Sequence, residues 1–193
     1  MPPLTIGLTG GIAAGKSTAL MAFERLGAAT MSSDAVVHEL LDSEPLLGRL
    51  RERWGEDVAP SGTVDRARVG EIVFADPDEL GWLEAQVHPL VGERIGAWLT
   101  SLPVETEIAV VEVPLLFESG MEGAFDTNVA VVTSDDVRRR RAEARGHALV
   151  DEREARQLDQ AEKAERAAHV IENDGSVDEL ERALATLVEK LNR

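Results

Sequence analysis

Apolar positions along the chain follow two alternating rhythms. Short aliphatic runs, of a length suited to strands, recur at 4–8, 28–33, 107–113, 127–133 and 170–171. Between them lie longer stretches in which apolar residues return every three or four positions, the period of a helix with one buried face. The first such helix is expected over 17–26, with Leu20 and Phe23 inward and Gly27 closing its C-terminus. A second spans 35–41. Residues 42–101 read as largely helical, over 44–54, 65–74 and 77–99, and Pro89 predicts a kink or break in the last of these. A further helix is expected from Ser134 or Asp135 to about Arg145, and a strongly charged one over 152–168. Asn173-Asp174-Gly175 reads as a turn, and Ser176-x-x-Glu179 as a capping box opening a last helix to Leu191.

Strands alternating with helices predict an α/β fold with a doubly wound parallel sheet. The run 107–113 is apolar almost throughout, as a strand buried on both faces must be. The helical stretch 42–101 is too long for one crossover and is expected to be an insertion that covers or specifies a substrate. The expectation is one domain, 1–193, with that insertion and a helical lid at about 135–168.

Composition narrows the class. The 193 residues suffice for a substantial core, and with 4% aromatics that core must be aliphatic. The absence of cysteine excludes disulfides and thiolate metal sites. No apolar run reaches the roughly 18 residues of a membrane span. Met1-Pro2-Pro3 leads directly into the first strand, so no signal peptide, no membrane association and a cytoplasmic protein are expected. A net charge of −16 argues against a nucleic-acid partner, which needs a basic surface. Positive charge is concentrated instead: the only lysines are Lys16, Lys163 and Lys190, and Arg138 to Arg141 with Arg145 form a cluster.

The candidate chemistry begins at the first strand. Gly10-x4-Gly15-Lys16-Ser17 follows it directly and precedes a helix, the spacing and context of a phosphate-binding loop. Its glycines let successive N–H groups point into one concave nest, and the helix N-terminus adds its dipole. Lys16 would reach the terminal phosphates and Ser17 would ligate Mg2+. Asp34 follows the second strand, where it is either a reactive carboxylate or the N-cap of the next helix. Glu112 ends the third strand, where an acid near Mg2+ is expected. Most of the clustered arginines are expected on a solvated face, but a helix leaving a central strand and carrying arginines also suits a closing lid. A lone His88 inside the insertion is more often structural than catalytic.

Among nucleotide-binding classes, a GTP-hydrolysing switch needs Asn-Lys-x-Asp, and Asn-Lys is absent from the chain. A mechanical or DNA-handling ATPase would be larger or basic. A small kinase fits the size, the insertion and the arginine helix. A nucleotide-binding regulator without turnover and a kinase of another small acceptor are the competing readings.

Ordered motifs then add a resemblance. Leu8 to Thr18, Ser33-Asp34-Ala35-Val36-Val37-His38-Glu39-Leu40, Leu83 to Pro89, Val113 to Gly120, Arg141 with Arg145, and Val170 to Ser176 together resemble the dephospho-coenzyme A kinase family over nearly the full length. The resemblance implies ATP-dependent phosphorylation of the ribose 3′-hydroxyl of dephospho-coenzyme A, with ATP and Mg2+ as cofactors, by a P-loop NTPase-type kinase. It implies Asp34 as the base and Lys16, Arg141 and Arg145 as the charges over the transferring group. Gly11, Ile12, Ala13, Ala14, Gly15, Lys16, Ser17 and Thr18 would hold the ATP phosphates, with Asn173 and Gly175 near its adenine. His88, Pro114, Leu115, Leu116, Phe117 and Glu118 would line the acceptor site, and Ser17 and Glu112 the metal. A monomer or weak homo-oligomer is expected. The chain departs from the family at Ala13, where glycine is usual, at Ser32, where an acid is usual, and at Glu112, where aspartate is. The lid glutamine is Gln157 or Gln160.

Overall fold

The computed structural model describes residues 2–144 and 157–191. Five parallel strands form one sheet: β1 (Leu4–Gly10), β2 (Ala29–Ser32), β3 (Ile108–Glu112), β4 (Thr127–Val132) and β5 (His169–Glu172), in the order β2-β3-β1-β4-β5. β1 is therefore central. It pairs Leu8 with Glu112 on one side and Gly10 with Val131 on the other. All five residues of β3 are buried, which explains the unbroken apolar run there. The helices of this part are α1 (Lys16–Arg25), α6 (Asp135–Ala144), α7 (Gln160–Arg166) and α8 (Val177–Leu191).

The sheet, α1 and α8 share one core. Leu180, Leu184 and Leu187 of α8 meet Ala19, Ala22 and Phe23 of α1 over Ile6, Leu8, Val110 and Val131. Their i, i+4, i+7 spacing puts a single apolar stripe on α8. Truncating fully buried Leu184 to Ala would cost about 2–5 kcal/mol. The expected capping box opens α8: Ser176 N–H donates to Glu179 Oε2 at 2.7 Å and Glu179 N–H to Ser176 Oγ at 3.3 Å.

Residues Ser33–Ser101 form a second compact unit, wholly helical apart from turns. It holds α2 (Ser33–Leu41), α3 (Leu46–Trp54), α4 (Arg66–Ala75) and α5 (Pro77–Ser101). Val36, Leu40, Leu46, Leu50, Val69, Val73, Val87, Val91 and Ile95 make its aliphatic core. Asp65 caps α4 by accepting from Ala67 and Arg68 N–H groups.

Three expectations are corrected. α5 runs without a break through Pro89. Pro89 lies on an exposed face, as does Ala85, whose carbonyl loses its helical donor to the proline and can be solvated there. Asp34 is not an N-cap: α2 already begins at Ser33 and Asp34 lies in its first turn. Finally, a continuous helix over 152–168 is not formed, because residues 157–159 are non-helical and Asp159 caps α7 in a reciprocal box with Glu162.

Candidate active site

The loop between β1 and α1 is built for an anion. Gly10 leaves the sheet at φ 152°, where a Cβ would stand 2.2 Å from the Val131 carbonyl oxygen. Gly15 sits at φ 97° as N-cap of α1, and no side chain caps the helix. The first N–H groups of α1 therefore lack intrahelical partners and point their positive dipole end at the loop. Ala14 N–H donates to Gly11 O at 3.2 Å, drawing the loop into a turn. Lys16 folds back over it, its Nζ donating to Gly10 O at 3.1 Å and Gly11 O at 3.0 Å. Ala13 adopts φ 59°, a left-handed conformation that costs a residue with a Cβ about 1–2 kcal/mol. The usual glycine is thus replaced without changing the conformation that glycine favours.

Two further elements hold this loop. Asn173, buried just after β5, donates from Nδ2 to Ala14 O at 2.8 Å. Its backbone is also engaged: its N–H donates to Val132 O, and its carbonyl accepts from Thr133 Oγ1. Arg141 of α6 reaches the same Ala14 carbonyl with Nη1 at 3.5 Å. A Cβ on Gly15 would collide with Asn173 Nδ2 at 2.2 Å, so residue 15 must be glycine on steric as well as conformational grounds. A Cβ on Gly175 would meet the capping Glu179 carboxylate at 2.2 Å, so that side chain would have to shift. Asp174 accepts from Ser134 N–H at 2.6 Å and Thr133 Oγ1 at 2.7 Å, and these bonds hold its carboxyl below the ordinary value.

At the carboxyl end of β3, Glu112 is buried and its Oε1 lies 3.5 Å from Ser17 Oγ. Beyond it, Pro114 O accepts from Thr9 Oγ1 at 3.2 Å and from Lys163 Nζ at 2.5 Å. Lys163 is fully buried and also pairs with Glu118 Oε1 at 3.0 Å. Burial lowers the Lys163 pKa, and the Glu118 carboxylate opposes that shift. Sequence reasoning missed Lys163. It stands among Glu162, Glu165 and Arg166 in a run that reads as solvated helix, and its only signal was the rarity of lysine in the chain.

A cavity of about 390 Å³ adjoins the loop, lined by Gly11, Ile12, Asp135, Arg138, Gln157 and Asp159 among others. Both candidate lid glutamines, Gln157 and Gln160, line it. Gln160 spends both ends of its amide on Thr133, donating to the carbonyl at 2.7 Å and accepting from the N–H at 3.2 Å. Gln157 lines the cavity with a buried Oε1 that has no partner among the described residues. Arg138 faces the same cavity, whereas Arg139 is exposed and paired with Asp136.

Within the sheet-bearing unit the structure thus gathers the residues from Gly11 to Thr18 with Glu112, Arg141 and Asn173, and it places Pro114 to Glu118 directly after β3. Leu116 and Phe117 are buried in that segment, while Leu115 is exposed. Asp34 and His88 belong to the helical unit and are both exposed, on α2 and α5. Arg145 lies outside the described residues.

A central strand ending in a phosphate loop, with an acid ending its neighbour, is the arrangement of a P-loop nucleotide-binding protein of the α/β class. Solved shikimate kinases share the fold, one from Aquifex aeolicus at TM-score 0.56 and 14% identity over 98% of both chains. The dephospho-CoA kinase family model matches residues 4–179. A dephospho-CoA kinase of Symbiobacterium thermophilum is 41% identical over 90% of this chain and 75% of its own. One from Streptomyces avermitilis is 40% identical over 93% and 89%. A crystal structure from Thermus thermophilus superposes at TM-score 0.85, with 36% identity and 99% of both chains covered. A dephospho-CoA kinase from Campylobacter jejuni superposes at 0.72, with 25% identity and 97% and 96% covered. The chain belongs to the dephospho-CoA kinase family, whose reaction is the ATP-dependent phosphorylation of dephospho-CoA, the final step of coenzyme A biosynthesis.

Proposed function

We propose that the chain performs its family's reaction at the ribose 3′-hydroxyl of dephospho-coenzyme A, with Asp34 as the base and the loop 11–18 as the ATP-phosphate site. Asp34 takes the hydroxyl proton as the oxygen attacks the γ-phosphorus, and the bond from that phosphorus to the β–γ bridging oxygen breaks to release ADP. Lys16 exchanges the Gly10 and Gly11 carbonyls for phosphate oxygens. Arg141 and Arg145 add positive charge over the transferring group. Asn173 and Gly175 lie toward the adenine, and His88 with Pro114 to Glu118 toward the acceptor.

Two oxygens suit Mg2+. Magnesium binds oxygen at about 2.1 Å and takes only one or two protein ligands beside phosphate and water. Ser17 Oγ and Glu112 Oε1, 3.5 Å apart, would supply that limited set. The bound ion would neutralise phosphate charge. With Ser32 in place of an acid, Glu112 is the strand-ending carboxylate that lies beside Ser17.

One observation carries the assignment of Asp34. β2 pairs Ser32 with Glu112, and Glu112 reaches Ser17 at the head of the loop. The chain then supplies Asp34 two residues further on, in a helical first turn where its carboxylate has no hydrogen-bond partner among the described residues. The enzyme is read as cytoplasmic and as a monomer or weak homo-oligomer, and its net charge of −16 argues against a nucleic-acid partner.

The test is ADP formation with dephospho-coenzyme A, adenosine, AMP and shikimate as acceptors. Turnover with dephospho-coenzyme A above the other three is expected. Turnover with AMP and none with dephospho-coenzyme A contradicts the reading.

A further inference from the structure

We propose that Lys163 is a positioning residue for the acceptor substrate, its ammonium setting the conformation of the segment 114–118 through the Pro114 carbonyl and the Glu118 carboxylate. This rests on the reading that the segment lines the acceptor site.

A fully buried ammonium is costly, by several kcal/mol even after relaxation, and an apolar residue of similar volume is often as stable or more so. The contacts of Lys163 show what its placement achieves. Its Nζ donates to Pro114 O, which also accepts from Thr9 Oγ1, one residue before the phosphate loop. The same Nζ pairs with Glu118 Oε1, which in turn accepts from Leu158 N–H at 2.8 Å. One turn further along α7, the Arg166 guanidinium lies 4.8 Å from the centre of the Phe117 ring and pairs with Glu122 at 2.9 Å. α7 therefore grips the segment at residues 114, 117 and 118 and ties its start to the end of β1. Leu115 stays exposed in the middle, and Glu118 Oε2 is buried with no partner among the described residues. Such a clamp fixes which face of the segment is presented, and a ligand that reads that face pays less ordering entropy on binding.

Steady-state kinetics of Lys163→Met and Glu118→Gln, varying each substrate separately, test the proposal. Lys163→Met is expected to raise KM for dephospho-coenzyme A by about tenfold while KM for ATP stays within about twofold. Glu118→Gln is expected to shift it in the same direction by less, and the double variant by less than the product of the two. Amide exchange should quicken over 113–120 in both. A lysine that only stabilises the fold would lower the melting temperature, leave the ratio of the two KM values unchanged and raise exchange throughout; that pattern, or no kinetic change, overturns the proposal. If Lys163→Met does not fold, Glu118→Gln alone decides by the same split. If the wild-type chain phosphorylates another acceptor instead, the functional reading fails, and the KM ratio measured with that acceptor still decides the role of Lys163.

Discussion

The side-chain amide of Asn173 donates to the Ala14 carbonyl at 2.8 Å, joining the end of β5 to the phosphate loop across most of the chain. Both groups are buried. Asn173→Ala leaves that carbonyl without its closest donor, at a cost of about 1–3 kcal/mol. A lower urea midpoint with unchanged m, together with weaker ATP binding by calorimetry, is expected.

Ala13 holds φ 59° within the same loop. Glycine relieves the left-handed strain but gives the unfolded chain more freedom, so Ala13→Gly is expected to stabilise by at most about 1 kcal/mol. Ala13→Val, β-branched, is expected to destabilise by more than about 1 kcal/mol. Chemical denaturation of the three proteins gives the order Gly, Ala, Val.

Much of this loop was legible in advance, because glycine spacing and a following helix are local signals. So were β3, whose burial on both faces demands an apolar run, and the capping box at Ser176. What the sequence could not display were contacts between distant segments. The bond from the Asn173 amide to Ala14, for example, becomes visible only once β5 lies beside β4. Lys163 looked like surface charge for the same reason. The break that Pro89 alone would suggest is absent because Pro89 sits on an exposed face of α5.

Glu112 sits 3.5 Å from Ser17 Oγ. Glu112→Gln keeps the volume and removes the charge, and should raise the Mg2+ concentration giving half-maximal turnover by about tenfold. KM for dephospho-coenzyme A should hold. Activity followed against total Mg2+ at fixed ATP measures it.

Asp174 has its pKa lowered chiefly by the Ser134 N–H, then by Thr133. A carboxyl depressed on folding stabilises above its unfolded value, about 4, and loses that contribution as pH falls through the folded value. The wild-type protein should therefore lose stability below about pH 4 with a steeper slope than Asp174→Asn. Urea midpoints measured across that range for the two proteins check the sign.

The central claim is that Asp34 activates the acceptor hydroxyl. Asp34→Asn preserves size and removes the base, so kcat with dephospho-coenzyme A should fall by about 10²–10⁴ while ATP affinity, measured by calorimetry, is unchanged. Near-normal turnover in Asp34→Asn would contradict the account.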